Sequence, residues 1–272
     1  MNEEQLKHLQ SDILLLLVEL DRICKEHDIK YYLAYGTLIG AVRHKGFVPW
    51  DDDIDVQMLR NDYEKFCDLC KKELNTERFF LQTQETDIFY NWVYGKLRLK
   101  DTSYIRAGQE HIKQEDGIFL DILPLDNISN SKLKITIINL VCKICRKILW
   151  SQVGKKNANK LYLKLIYKLL SYVPRNIVIM LFEKFAKWDK EKETSLLASH
   201  NTFKQTYKSE WYRERVEVNF EGKTFFAPKG YTEILTLVYG DFMKIPPEDQ
   251  REGHCSASYI KFKDGTEILL NE

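Results

Sequence analysis

Four carboxylates fall within five positions, at Asp51, Asp52, Asp53 and Asp55, in apolar surroundings. Trp50 precedes the cluster, and Ile54 and Val56 alternate with its last two members. Read as a strand, Asp53 and Asp55 point to one face, Ile54 and Val56 to the other. Side chains two apart on a strand start from Cα atoms roughly 6.5 Å apart, so both carboxylates can grip one cation from the same side. Carboxylate oxygens suit hard cations such as Mg²⁺ or Mn²⁺. Upstream, Tyr31 to Tyr35 reads as a short strand, Gly36-Thr37 breaks it, and Leu38 to Val42 reads as a short helix. A glycine turn that opens a helix offers backbone N–H groups and a positive dipole end to a phosphate. Downstream, Asp121 stands alone in the apolar strand Gly117 to Leu123, a costly position for a charge that no cation or hydrogen bond satisfies. An acidic run by itself is more often a solvated loop. A Gly-Thr turn, an Asp-x-Asp strand and an Asp on a neighbouring strand together predict a nucleotidyltransferase-type site, with Asp53, Asp55 and Asp121 as metal ligands.

Basic and aromatic side chains accompany these parts. The loop after Gly40 carries Arg43, His44 and Lys45, and Arg can bind phosphate through two parallel hydrogen bonds. Lys96 and Arg98 alternate with Leu97 and Leu99, so both could face the site from a neighbouring strand. Trp50, Trp92 and Tyr94 could form an aromatic cage for a quaternary ammonium, although aromatic residues in strands more often pack.

The run YGTLIGAVRHKGFVPWDDDIDVQM from Tyr35 to Met58 resembles the signature of the LicD family, which includes bacterial phosphocholine transferases and is similar to fukutin and fukutin-related protein. The resemblance continues at Phe119 to Asp126, Ala227 to Tyr231, Tyr239 to Met243 and Pro246 to Glu248, and is loose over about residues 129–210. It implies transfer of a phospho-alcohol such as phosphocholine from a CDP-linked donor to a sugar hydroxyl. The acceptor would be a surface or lipid-linked glycan, such as lipopolysaccharide, teichoic acid or capsule. Asp53, Asp55 and Asp121 would hold Mg²⁺ or Mn²⁺, and Gly36 and Thr37 would approach a phosphate. Arg43, Lys96, Arg98 and His254 would stabilise developing charge. Asp51 and Asp52 would support the ligands. Two other readings stay open: a nucleotidyltransferase that leaves NMP on its acceptor, and a non-catalytic membrane- or partner-binding protein on the same fold.

The elements that must position these groups follow from the pattern. The 272 residues, 44% apolar and 30% charged, are enough for a substantial core. The expected fold is α/β (α+β): a nucleotidyltransferase-like mixed sheet with a helical insertion and a C-terminal hairpin plus helix. Residues 1–128 would form the catalytic core, 129–215 a basic and mostly helical segment, and 216–272 the part that completes the site. Gln5 to His27 reads as an amphipathic helix, and Asn61 as the cap of a helix over Asp62 to Leu74. Val216 to Ala227 reads as a hairpin turning at Glu221-Gly222, and Tyr231 to Tyr239 as a helix.

Net charge is only +1, but its distribution is uneven. Between Ser131 and Phe182 stand eleven Lys or Arg and no Asp or Glu, so the remainder is net acidic. Helical patterns at Leu133 to Trp150, Leu161 to Tyr172 and Asn176 to Trp188 carry this charge, which suits peripheral contact with an anionic membrane. Nucleic acid is not expected, because the block lacks interleaved aromatic platforms. The pairs Cys67/Cys70 and Cys142/Cys145 lie in helical patterns without knuckle turns, which favours free thiols over zinc. Polar N-terminal residues and the lack of a long apolar run predict a cytoplasmic protein, peripheral on the inner membrane face.

Overall fold

The computed structural model describes residues 1–200, 205–251, 253 and 257–270. Helix α1 (Glu3–Glu26) buries the stripe Leu9, Ile13, Leu16, Leu17, Leu20 and Cys24. Asn2 and Gln5 cap it reciprocally, each side chain taking the other's backbone N–H. Strand β1 is short (Tyr32–Leu33), and helix α2 (Tyr35–Ile39) follows at once, passing into a π-helical turn at Gly40–His44. The predicted strand is thus cut short, and Gly36 and Thr37 lie inside the first helical turn, not ahead of it. The chain makes this change through Tyr35, whose φ of 46° is left-handed. Such a conformation costs a non-glycine residue roughly 1–2 kcal/mol.

Strand β2 (Asp55–Leu59) runs directly into helix α3 (Arg60–Glu73). The helix begins before Asn61 and has no side-chain cap, so the predicted Asn61 cap is not used. Strands β3 (Phe79–Gln82), β4 (Gly95–Leu99), β5 (Ser103–Arg106) and β6 (Phe119–Ile128) follow. The main sheet has the order β1-β2-β6-β4-β3; β2 and β6 are parallel and the other pairs antiparallel. Val56, Met58, Leu97, Leu99, Leu120 and Ile122 alternate into the core shared with α1 and α3. The alternate positions, Asp55, Asp121, Lys96 and Gln82, fall on the opposite face.

The basic segment forms α4 (Lys132–Asn157), α5 (Leu161–Leu170) and α6 (Arg175–Ala186). Ile138, Cys142, Cys145, Leu149, Val178 and Phe182 give α4 and α6 a separate small core. The far half of β6 pairs with β7 (Leu196–Ala198), which pairs with β8 (Thr206–Lys208). A buried, two-pronged ion pair joins this half to α3: Arg60 Nε and Nη2 donate to the Asp126 oxygens at 2.7 and 2.8 Å.

The predicted hairpin is β9 (Arg215–Phe220) and β10 (Lys223–Pro228), turning at Glu221-Gly222, and α7 (Tyr231–Tyr239) ends at Gly240. Strands β11 (Ala257–Lys261) and β12 (Glu267–Leu269) join β5 in a three-stranded sheet that the sequence pattern did not reveal. Cys24, Cys67, Cys70, Cys142 and Cys145 are free thiols, as expected; Cys255 lies outside the described residues.

Candidate active site

The register of three strands sets the site. Asp55 on β2 stands opposite Asp121 on β6, and Asp121 stands opposite Lys96 on β4. Adjacent strands lie about 4.8 Å apart, so these side chains rise from neighbouring points of one sheet face. Lys96 Nζ donates to Asp121 Oδ1, and the ammonium also lies 3.5 Å from the centre of the Phe119 ring. Burial pushes the Lys96 ammonium down to about 8 against the pull of Asp121, and the charges of Arg106 and Arg98 add to the fall.

Local hydrogen bonds fix the acidic loop. The Asp55 N–H donates to Thr37 Oγ1 at 2.9 Å, Asp121 N–H to the Ile54 carbonyl at 2.9 Å, and Gln10 Nε2 to the Asp51 carbonyl at 2.9 Å. Thr37 is therefore committed to holding β2 in place. Asp53 precedes the strand, with Asp55 its first residue. Tyr104 on β5 donates to Asp52 Oδ2 at 3.0 Å, and a Cβ on Gly253 would lie 2.8 Å from Asp52 Oδ1. Asp52 is thus enclosed by neighbouring segments, a supporting position. Gly36 lets Asp51 approach closely: a Cβ there would sit 2.4 Å from Asp51 Oδ2. The room that Gly36 leaves is filled by a carboxylate of the chain itself.

Electrostatics mark Asp51 and Asp55 as members of one crowded set. Burial, then the charges of Asp53 and Asp52, push the Asp51 carboxyl up to about 8. Burial also raises Asp55 well above the usual carboxylate range, with Asp53, Asp121 and Asp51 adding repulsion that Lys96 only partly offsets. The Tyr239 hydroxyl at the end of α7 is raised by burial and then by Asp55 and Asp51, which brings the C-terminal helix to the same charges. Sequence reasoning left Asp51 among the supporting residues and gave Tyr239 no role of its own. Only three-dimensional proximity distinguishes them.

Other predicted residues are placed differently. Arg43 Nη1 donates to the carbonyls of Phe242 and Lys244 at 2.7 and 3.2 Å, so its guanidinium braces the segment after α7. Arg98 is buried in a network with Gln82 Oε1, at 2.6 Å, and the Gly117 carbonyl. His254 lies outside the described residues. The cage of Trp50, Trp92 and Tyr94 does not assemble, because Trp50 packs on the main core and Trp92 on a separate cluster with Tyr94. Trp92 instead stacks on Trp150, with ring centres 5.3 Å apart. Both line a cleft of about 420 Å³ with Arg106, Lys143, Arg146 and Lys147. Four cations at this aromatic wall suit an anion and oppose a quaternary ammonium. A larger cleft, of about 550 Å³, lies beside α3 and contains none of the candidate residues.

Among the described residues no three His, Cys, Asp or Glu side chains form a ready set of metal ligands. The donor chemistry still fits a hard divalent cation: carboxylates crowd together, and their repulsion is only partly compensated. Mg²⁺ in phosphoryl-transfer sites commonly uses one or two carboxylates and completes its shell with substrate phosphates and water. The fit can be tested through pH. In the metal-free protein, folded Asp51 keeps its proton up to about 8, against 3.8 ordinarily, so the folded state binds more protons in that window. Its stabilising contribution is present below the lower value and is lost as pH rises to the upper one. A cation that replaces these protons binds better once they are gone. Mg²⁺ is therefore expected to raise Tm more at about pH 8 than at about pH 6, read by thermal denaturation; equal shifts would place the ion elsewhere.

The segment that carries this geometry also matches known proteins. A family model described as LicD/FKTN/FKRP, nucleotidyltransferase domain, matches residues 28–139, the span that contains Asp51 to Asp55, Lys96 and Asp121. The chain is 32% identical over 271 residues to the lipopolysaccharide cholinephosphotransferase LicD of Haemophilus influenzae, covering 96% of this chain and all of that protein. An uncharacterized protein of Rickettsia prowazekii is 29% identical over 105 residues, 32% of this chain and 38% of its own length. On the strength of the Haemophilus match, which spans nearly the whole of both proteins, the chain belongs to the LicD family.

Proposed function

We propose that this protein is a transferase that moves a phospho-alcohol of the phosphocholine type from a CDP-linked donor to a hydroxyl of a glycan or glycolipid. The observation that carries the reading is the cross-strand row Asp55–Asp121–Lys96, with Asp51 crowding Asp55. The family relationship gives the same direction, since the Haemophilus relative is named for cholinephosphate transfer to lipopolysaccharide.

In this reaction the acceptor oxygen forms a bond to the phosphorus of the phospho-alcohol, the bond to the bridging oxygen breaks, and CMP leaves. Asp53, Asp55 and Asp121 would hold Mg²⁺ or Mn²⁺, which when bound neutralises the diphosphate and aligns it for in-line displacement. In this reading Asp121 would accept the proton of the attacking hydroxyl, and its contact with Lys96 would orient the carboxylate. The cleft of Trp92 and Trp150, with its four cations, suits an anionic part of donor or acceptor. Asp51 and Tyr239 would border the carboxylate cluster instead, since the charge of Asp53 acts on Asp51 and those of Asp55 and Asp51 act on Tyr239. The free thiols fit a reducing compartment, and the reading places the enzyme in the cytoplasm.

The purified protein with CDP-choline, Mg²⁺ and envelope glycolipid is expected to release CMP, and Asp53→Asn to lose at least about a hundredfold of that rate. Absence of release across a panel of CDP-alcohols, with acceptor present, would sink the proposal. The term nucleotidyltransferase in the matched family description favours one alternative, transfer of the CMP half. A donor labelled on both phosphates decides between them by which label the acceptor gains.

A further inference from the structure

We propose that the face formed by α5 and the exposed flanks of α4 and α6 seats the protein on a bilayer of anionic lipid. This goes beyond the transfer reaction and does not depend on it. Helix α5 has no buried residue. Its half-buried positions, Leu163, Tyr167 and Leu170, follow helical spacing and face inward. Tyr167 lies over Gly154 of α4, where a Cβ would come within 2.6 Å of the ring. The helix is therefore held by one face and still carries a second apolar face. Leu161, Leu165 and Leu169 stand 74%, 56% and 70% exposed at successive turns.

The exposure does not stop at α5. Ile177 and Met180 of α6 are 54% and 64% exposed, and Leu133 and Leu140 of α4 are 72% and 56%. Each such side chain leaves apolar area in water, and exposed apolar side chains recurring on α5 and on α4 and α6 beside it mark an interaction surface.

Charge selects the occupant. No Asp or Glu occurs between Ser131 and Phe182, against eleven Lys or Arg. A hollow of about 460 Å³ between the end of α4 and α5 is lined by Lys155, Lys156, Lys164 and Lys168 beside Ser171 and Tyr172. Four ammonium groups around one hollow suit a phosphate headgroup, while the leucines one turn away suit acyl chains. A second copy of the chain would bring like charge against like. A nucleic acid would satisfy the lysines and leave the leucines in water. No single described helix is long and apolar enough to cross a membrane, and α5 and α6 meet at 87°. The geometry is that of a wedge lying in the interface, with α4 also contributing Lys143, Arg146 and Lys147 to the aromatic cleft.

The test is flotation of the full chain with vesicles of phosphatidylcholine alone or with about one-third phosphatidylglycerol, without donor or acceptor. Wild type is expected to float with the anionic vesicles at least about tenfold better than with the neutral ones. Leu165→Glu/Leu169→Glu and, separately, Lys164→Glu/Lys168→Glu are each expected to lower that binding by about tenfold or more. Circular dichroism melting of both variants should match wild type, because all four side chains are exposed. Wild type that stays in solution with both vesicles, or variants that float like wild type, would overturn the proposal. So would a concentration-dependent dimer that the leucine variant abolishes. CMP release is not read in this assay, so its failure and that of the transferase reading are separate results.

Discussion

Asp55→Asn is expected to abolish transfer while making the metal-free protein more stable. Asp55 stands where three carboxylates repel it, and burial adds to the cost of its charge. Asparagine keeps the shape and removes the charge. In the proposed reaction that charge would help hold a cation at the donor diphosphate, a contribution of several kcal/mol, on the order of a thousandfold in rate. Without metal the same charge only repels its neighbours. The variant should therefore melt a few degrees higher than wild type near about pH 8, since ~1 kcal/mol moves Tm by ~2–4 °C at this size. Adding Mg²⁺ should narrow the gap by stabilising wild type alone. The measurements are CMP release and thermal melting, with and without Mg²⁺, on both proteins. An inactive variant that melts lower than wild type in both conditions would indicate damaged packing and leave the catalytic assignment unsupported.

Asp126→Ala carries the largest expected loss of stability. Its carboxylate takes two hydrogen bonds from Arg60, and both side chains are at least 95% buried. Removing one partner strands a guanidinium in the interior, at a cost of about 3–5 kcal/mol. That corresponds to a fall in Tm of roughly 6–20 °C. Glu183 of α6, 3.7 Å from Arg60, offers a weaker partner and keeps the loss toward the lower end. The double variant Arg60→Met/Asp126→Leu should recover most of the stability, because the desolvated charges go together. Thermal melts of the two variants decide it. A double variant as unstable as Asp126→Ala would mean that the network does more than satisfy its own members.

The contrast between these two aspartates shows how far sequence reaches. Asp121 and Asp126 lie on the same strand, five positions apart, each in apolar surroundings. Sequence pattern picked out Asp121 and gave Asp126 no task, yet it could not say that Lys96 would meet the first and Arg60 the second. Those partners arrive through strand register and the start of α3, which are long-range properties. Elements with strong local signals were readable: α1 from its leucine spacing, α7 from Tyr231 to its glycine stop, the β9–β10 turn from Glu221-Gly222. The short strands β7, β8, β11 and β12 were not, because runs of three to five residues carry little periodicity. Tyr35 misled for a related reason. A bulky aromatic in a left-handed conformation is held by its surroundings, here a hydrogen bond between its hydroxyl and Gln57 Nε2 at 3.0 Å. Arg43 is a similar case: its type suggests phosphate, but the carbonyls of Phe242 and Lys244 claim it.

The turn of the β9–β10 hairpin leans on the loop that leads into the acidic cluster. Glu221 Oε1 accepts from the Phe47 N–H at 3.0 Å across 174 residues, and Glu221 N–H donates to the Lys45 carbonyl at 2.9 Å. A ribosome adding about 5–20 residues each second needs roughly ten to thirty-five seconds to cover that separation. Throughout that interval the nascent chain carries Asp51 to Asp55 but lacks the brace beneath their loop and the α7 tyrosine beside them. Catalytic competence therefore comes late in the protein's synthesis. The cell gains its working transferase only as the last quarter of the chain folds back onto the first.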